Sequence, residues 1–145
     1  MERLLHKFKT AADLVPQPVL RKAAKPSRNG VIYFGSTSPA MQEALDELTA
    51  DGIHVDAMRL RAFPFPASVD RFIAEHDKVF VVEQNRDGQM FSLLVNELAI
   101  DPARLLKVLH YDGTPITARF ITESIKQNLQ AAAPAAPTKK NKVAA

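Results

Sequence analysis

The densest polar cluster in this sequence, Glu83-Gln84-Asn85-Arg86-Asp87-Gly88-Gln89, follows directly on the apolar run Val79-Phe80-Val81-Val82. An apolar strand aims whatever follows it at the rim of its sheet. Glu83, Asn85 and Gln89 are therefore candidates for touching a ligand or a partner, and Gly88 either gives another backbone room to approach or turns the chain into a helix. A carboxylate in that position equally suits a helix cap or an ion pair. A second constellation is Gly35-Ser36-Thr37-Ser38-Pro39, in which hydroxyl side chains precede a proline suited to the first helical position. Ser36 and Thr37 would sit where helix amides attract anions, but the GxGxxG spacing and the lysine of a phosphate loop are both missing. An anion site and a plain strand-to-helix turn both fit. Arg59 and Arg61, two apart, would share one face of a strand and could hold a carboxylate, a phosphate or an acidic patch on another subunit, or pair with acids of this chain. Phe63-Pro64-Phe65-Pro66 is stiff and apolar yet reads as a loop, which points to a covered, interface-forming segment carried by Phe63 and Phe65.

Several chemistries are excluded or unsupported. There is no cysteine, which removes disulfides, cysteine-held zinc or iron–sulfur sites and thiol catalysis. His6, His54, His76 and His110 are scattered without metal-ligand spacing, and the serines around Gly35 do not form a GxSxG elbow. No self-sufficient catalytic set is present, so no catalytic residue is assigned.

The elements that position these residues alternate in type. Gly30–Gly35 is a short apolar run of the kind buried on both faces of a sheet. Pro39 to Ala50 predicts a helix with Met41, Ala44, Leu45 and Leu48 on one stripe, closed by Gly52. Residues 53–60 predict a second strand, and Ser68 a cap for a shorter helix with Val69, Phe72 and Ile73 inward. Residues 78–83 predict a third strand and Met90, Leu93, Leu94 and Leu98 a third helix. Residues 105–111 predict a fourth strand, and Thr117 caps a last helix bearing Phe120, Ile121, Ile125 and Leu129. Strand and helix alternating four times argue for a three-layer α/β/α fold around a mostly parallel sheet of four or five strands. One antiparallel edge strand is expected, from the fourth strand or from a fifth near Pro115-Ile116.

Charge divides the chain of 145 residues into three parts. Residues 1–29 carry seven Lys or Arg against two acids, a net of +5, and read as a basic linker arm with a short amphipathic helix and a proline-rich strap. Residues 30–129 form the α/β body and carry a net of −5. The Ala/Pro/Lys tail, residues 130–145, has a net of +3 and the composition of a disordered segment. An acidic body with basic ends argues against a nucleic-acid partner, and no apolar run approaches the roughly 20 residues of a membrane span. The N-terminus lacks the apolar core of a signal peptide, so a cytoplasmic location is expected.

Four segments in order, GVIYFGSTSPAMQEALDEL, GIHVDAMRLRAFPFP, VFVVEQNRDGQM and HYDGTPITARFITESI, resemble the transketolase C-terminal-type domain of 2-oxoacid:ferredoxin oxidoreductase alpha subunits, nearest to the 2-oxoglutarate type. The resemblance covers residues 1–126, because KFKTAADLVPQPV is similar to the linker ahead of that domain. It implies a part of an enzyme that decarboxylates a 2-oxoacid to its acyl-coenzyme A with thiamine diphosphate and magnesium, passing electrons through iron–sulfur clusters to ferredoxin. It also implies that the domain is architectural. The pyrimidine-binding alpha domain, the diphosphate motif and the cluster cysteines lie outside this sequence, in other alpha domains or the beta subunit. Those are the implied partners, the chain would bind none of these cofactors alone, and it would not turn over unaided. The Arg61–Pro66 loop and the Glu83–Gln89 corner would face partner domains, near the approach of coenzyme A. A stand-alone module for a small anion or nucleotide is the competing reading, with a sister domain of another thiamine-dependent enzyme as a third.

Overall fold

The computed structural model describes residues 2–131. Gln130 and Ala131, expected in the tail, close the last helix, and the rest of the expected tail, residues 132–145, lies outside the described residues. Helix α1 (Glu2–Leu14) and strand β1 (Val19–Arg21) make up the arm. The body follows as β2 (Asn29–Phe34), α2 (Ser38–Ala50), β3 (Asp56–Leu60), α3 (Ala67–Glu75), β4 (Lys78–Glu83), α4 (Gln89–Leu98), β5 (Leu105–Leu109) and α5 (Ala118–Ala131). One five-stranded sheet runs in the order β1-β3-β2-β4-β5. The pairs β2–β3, β2–β4 and β4–β5 are parallel, and β1–β3 is antiparallel.

Period-two alternation sorts the central strands between two cores. Val31, Tyr33, Phe80 and Val82 face α2 and α5, whereas Ile32, Val79 and Val81 face α3 and α4. Because β2 and β4 are covered on both sides, their sequences are apolar almost throughout, as a parallel central strand requires. The fold is the expected three-layer α/β/α arrangement.

The edge strand differs from expectation. The antiparallel member is β1, supplied by the arm, and β5 is parallel to β4. Pro115 has no amide to give a ladder, and the Ile116 amide instead donates to the Gln84 side chain at 3.3 Å. Val19-Leu20-Arg21, just past Pro18, needs pair on one side only, which an edge position allows. Strand β3 also starts later than expected, at Asp56, because Ile53 belongs to the end of α2. Its amide donates to the Leu48 carbonyl (2.8 Å) while the Gly52 amide donates to Thr49 (3.0 Å), the two bonds of a Schellman turn.

Ser68 is not the cap of α3. The helix begins at Ala67 with Pro66 ahead of it, and the Ser68 hydroxyl is buried without a partner among the described residues. Thr117 does cap α5, its hydroxyl accepting from the Phe120 amide at 3.2 Å.

Gly30 of β2 packs tightly against Phe72 of α3 and the His76 ring just beyond it. A β-carbon there would stand 2.8 Å from Phe72 Cε1 and 3.2 Å from the His76 ring. Both rings are buried, so neither can retreat. Gly30→Ala is expected to destabilise the chain by about 1–3 kcal/mol through overpacking. Thermal unfolding followed by circular dichroism checks this, and an unchanged midpoint would contradict the geometry.

Candidate functional site

Helices lie on both faces of the sheet, and strand order reverses beside β2: the chain moves from β2 outward to β3, then crosses back to β4 on its other side. In such sheets the crevice at the carboxyl ends of the two diverging strands is where ligands enter. Here those ends are Phe34, leading into Gly35-Ser36-Thr37, and Glu83, leading into Gln84–Gly88.

Both sides of the crevice are occupied by this chain's own side chains. Glu83 is fully buried, and its carboxylate accepts from the Met90 amide (2.7 Å), the Phe91 amide (2.8 Å) and the Asn85 carboxamide (2.8 Å). It thereby fills the N-terminus of α4, where unpaired amides and the helix dipole favour a negative group. Asn85 holds the loop closed, its oxygen accepting from the Gly88 amide at 2.8 Å. Gly88 leads into α4 in a left-handed conformation (φ 68°), which a β-carbon would strain, and sits against the Lys107 side chain. Gln89 is exposed as the first residue of α4, its amide 3.4 Å from the Asn85 oxygen.

Across the crevice, the Gln84 amide nitrogen donates to the Ser36 hydroxyl (3.0 Å) and the Thr37 hydroxyl (3.2 Å), while its oxygen accepts from Ile116. One side chain stitches the β2 turn, the β4 turn and the segment before α5 together. Ser36 is exposed and Thr37 buried, and neither makes a side-chain cap for α2. Glu83, Asn85, Gly88 and Gln89 thus form one hydrogen-bonded set and Ser36 and Thr37 another, adjoining through consecutive residues Glu83 and Gln84. The joining residue, Gln84, was visible only as part of a polar run.

Arg59, Arg61, Phe63 and Phe65 lie at the outer side of the same edge. Arg59 is exposed on β3, paired in register with Val19. Arg61 lies one residue past the end of β3, so the alternation expected to align it with Arg59 is not carried by the sheet there. Among the described residues neither guanidinium joins the ion pairs that hold Arg21, Lys22, Arg28, Arg86 and Lys126. Phe65 is buried and meets Phe63 edge-on, with centroids 5.3 Å apart, leaving Phe63 41% exposed. The Phe63–Pro64 peptide is cis.

A second polar cluster, not anticipated, ties the arm to the body. Asp56 is buried and accepts from Lys22 Nζ (2.8 Å) and the Ala23 amide (2.8 Å), with His76 Nε2 at 3.2 Å. The other ring nitrogen of His76 meets the Phe72 carbonyl at 2.6 Å. Burial opposes the charge on Asp56, but the Ala23 amide, Lys22 and His76 outweigh it and hold the carboxyl below the usual carboxylate range. An acid inside the apolar second strand was the signal that a buried partner must exist. At the far edge His110 is buried, edge-on to Phe120 (4.8 Å), with Nε2 3.4 Å from Asp112.

Neither a diphosphate at the α4 corner nor a cysteine-held cluster fits these residues. A diphosphate would meet the Glu83 carboxylate at the α4 N-terminus, the chain has no cysteine for a cluster, and no group of three or more metal-ligating side chains occurs among the described residues.

The family profile described as pyruvate:ferredoxin oxidoreductase core domain II matches residues 28–118. Subunit alpha of 2-oxoacid:ferredoxin oxidoreductase 2 from Aeropyrum pernix is 29% identical over 129 residues, which cover 86% of this chain and 20% of that protein. The chain therefore spans about a fifth of that relative's length. The structure of 2-oxoglutarate:ferredoxin oxidoreductase from Magnetococcus marinus, with 2-oxoglutarate, coenzyme A and succinyl-CoA bound, is similar with a TM-score of 0.76 and 29% identity, covering 89% of this chain and 23% of that one. A split-gene transketolase solved as an inactive beta4 tetramer shares the fold at a TM-score of 0.61 and 17% identity, covering 79% of this chain and 41% of that chain.

Proposed function

Because the chain belongs to the pyruvate:ferredoxin oxidoreductase core domain II family, we propose that it is an architectural and interaction domain of a 2-oxoacid:ferredoxin oxidoreductase. Its body, residues 30–129, packs against the domains that hold thiamine diphosphate, magnesium and the iron–sulfur clusters, and residues 1–29 act as the linker arm. The substrate is a 2-oxoacid of the 2-oxoglutarate type, converted to its acyl-coenzyme A in the cytoplasm. The carboxyl-edge loops, with Ser36, Thr37, Glu83, Asn85, Gly88 and Gln89 at the centre and Arg61, Phe63 and Phe65 beside them, are the faces turned toward partner domains.

One observation carries this reading: the groups that would greet a ligand in the crevice are spent on one another through Glu83 and Gln84. A binding module keeps its helix amides open for an anion. At α4 this chain closes them with the Glu83 carboxylate, and beside α2 Gln84 engages the Ser36 and Thr37 hydroxyls, so the carboxyl edge is tied together as a surface.

Isothermal titration of the chain with coenzyme A, and separately with thiamine diphosphate and magnesium, separates the two main readings. The interaction domain gives no binding tighter than about 1 mM, the weak-affinity limit near 4 kcal/mol. Micromolar binding of either compound would favour the stand-alone anion or nucleotide module.

A further inference from the structure

We propose that the basic arm and the Arg59–Phe63 corner form one docking surface for a protein partner that presents an apolar groove rimmed by carboxylates. The inference rests on the reading of the chain as an interaction domain and says where, and with what chemistry, the partner binds.

Helix α1 buries none of its residues, and Leu4, Leu5, Phe8 and Leu14 are each at least half exposed. Leu4, Phe8, Ala11 and Val15 follow the 4-3-4 spacing of a seam that lies along another surface. A helix of 13 residues draws most of its stability from packing such a stripe, and nothing in the described residues covers this one. Its polar side carries Arg3, Lys7 and Lys9. The arm reaches the body at Val19, in register with Arg59 at the carboxyl end of β3, and Arg61 and Phe63 come next along the chain. Apolar side chains and cations therefore continue from the arm onto the corner. Arg21, Lys22, Arg28 and Lys126 are paired with Asp46, Asp56, Asp77 and Asp51, whereas Arg3, Lys7, Lys9, Arg59 and Arg61 join no ion pair among the described residues. Those five cations flank the exposed apolar side chains, and a partner that carries carboxylates beside an apolar groove complements both.

A second copy of this chain fits poorly. The stripe spans about two heptads, short of the three or four that sustain a coiled coil. The arm as a whole carries a net of +5, so two copies would also repel one another. A helix laid in a groove, with the corner arginines at its rim, meets both demands at once.

The test titrates the full chain against the purified thiamine-binding polypeptides of the ferredoxin oxidoreductase from the same cells, read by biolayer interferometry. Two variants probe the surface: Leu4→Ser, Leu5→Ser and Phe8→Ser together, and Arg59→Glu with Arg61→Glu. All five positions are exposed and outside the core, so both variants keep the thermal midpoint of the body. Each is expected to weaken binding by about 30-fold or more, the scale of a lost hot spot. Glu97→Lys, on exposed α4, leaves it unchanged. Wild-type binding that both variants match overturns the docking surface and leaves the interaction-domain reading standing. No binding by the wild type overturns both. A wild-type dimer in sedimentation that the serine variant abolishes, or arm-dependent capture by phosphatidylglycerol vesicles without effect on the polypeptides, also overturns it.

Discussion

Glu83→Ala is expected to destabilise the chain by roughly 3 kcal/mol, a thermal midpoint lower by about 10 °C for a domain of this size. The carboxylate is fully buried and is the acceptor for two amides of the first turn of α4 and for the Asn85 carboxamide. Alanine removes all three acceptor contacts in a closed site, and each stranded donor costs about 1–3 kcal/mol before local relaxation recovers part of it. Glu83→Gln keeps one acceptor oxygen but turns an amide nitrogen toward helix donors, so it falls between wild type and alanine. Thermal unfolding of the three proteins checks the order. An alanine variant that melts with the wild type would mean that the α4 amides find water or another acceptor, and the crevice would then be open to ligands after all.

Asp56→Ala is expected to free the arm and to lower global stability by roughly 2–3 kcal/mol, less than the full 3–5 of a broken buried pair because Lys22 is largely exposed. The change leaves His76, which is buried, without its acidic neighbour and the Ala23 amide without an acceptor. Trypsin cleavage after Arg21 and Lys22 should accelerate, with faster amide exchange across Val19–Ala23. Equal cleavage rates in variant and wild type would contradict the clamp. Acid acts in the same direction. The folded carboxyl of Asp56 lies below its ordinary value of 3.8, so its contribution is complete well above that value and is lost as pH falls through the depressed one. Arg28 holds Asp77 down, and the Thr114 amide and hydroxyl hold Asp112 down, so both reinforce the trend. Stability should therefore fall progressively on acidification below about pH 4, and the arm should loosen less with pH in Asp56→Asn than in wild type.

The parallel core was legible because its physics is local. Strands covered on both faces must be apolar throughout, and Val31-Ile32-Tyr33 and Val79–Val82 are. The stripes of α2, α4 and α5 follow from helical period in the same way. What sequence concealed was pairing over distance. Lys22 reaches Asp56, and Gln84 reaches Ser36 and Thr37, across separations that no periodicity records. The edge strand was assigned to the wrong end of the sheet because three residues after Pro18 carry too little pattern to outweigh a proline-rich reading. Glu83 was legible as a strand-end acid and its use as a helix cap was one of the readings it allowed, but only geometry shows both oxygens committed. Ser68 resembled a cap by type, yet the helix begins one residue earlier behind Pro66.

The most direct test is recovery of the tagged chain from an extract of its own cells, followed by identification of what accompanies it and by assay of viologen reduction that depends on both 2-oxoglutarate and coenzyme A. An interaction domain of a 2-oxoacid:ferredoxin oxidoreductase predicts stoichiometric thiamine- and cluster-binding polypeptides together with that activity. A chain recovered alone, as a monomer without activity, would contradict it.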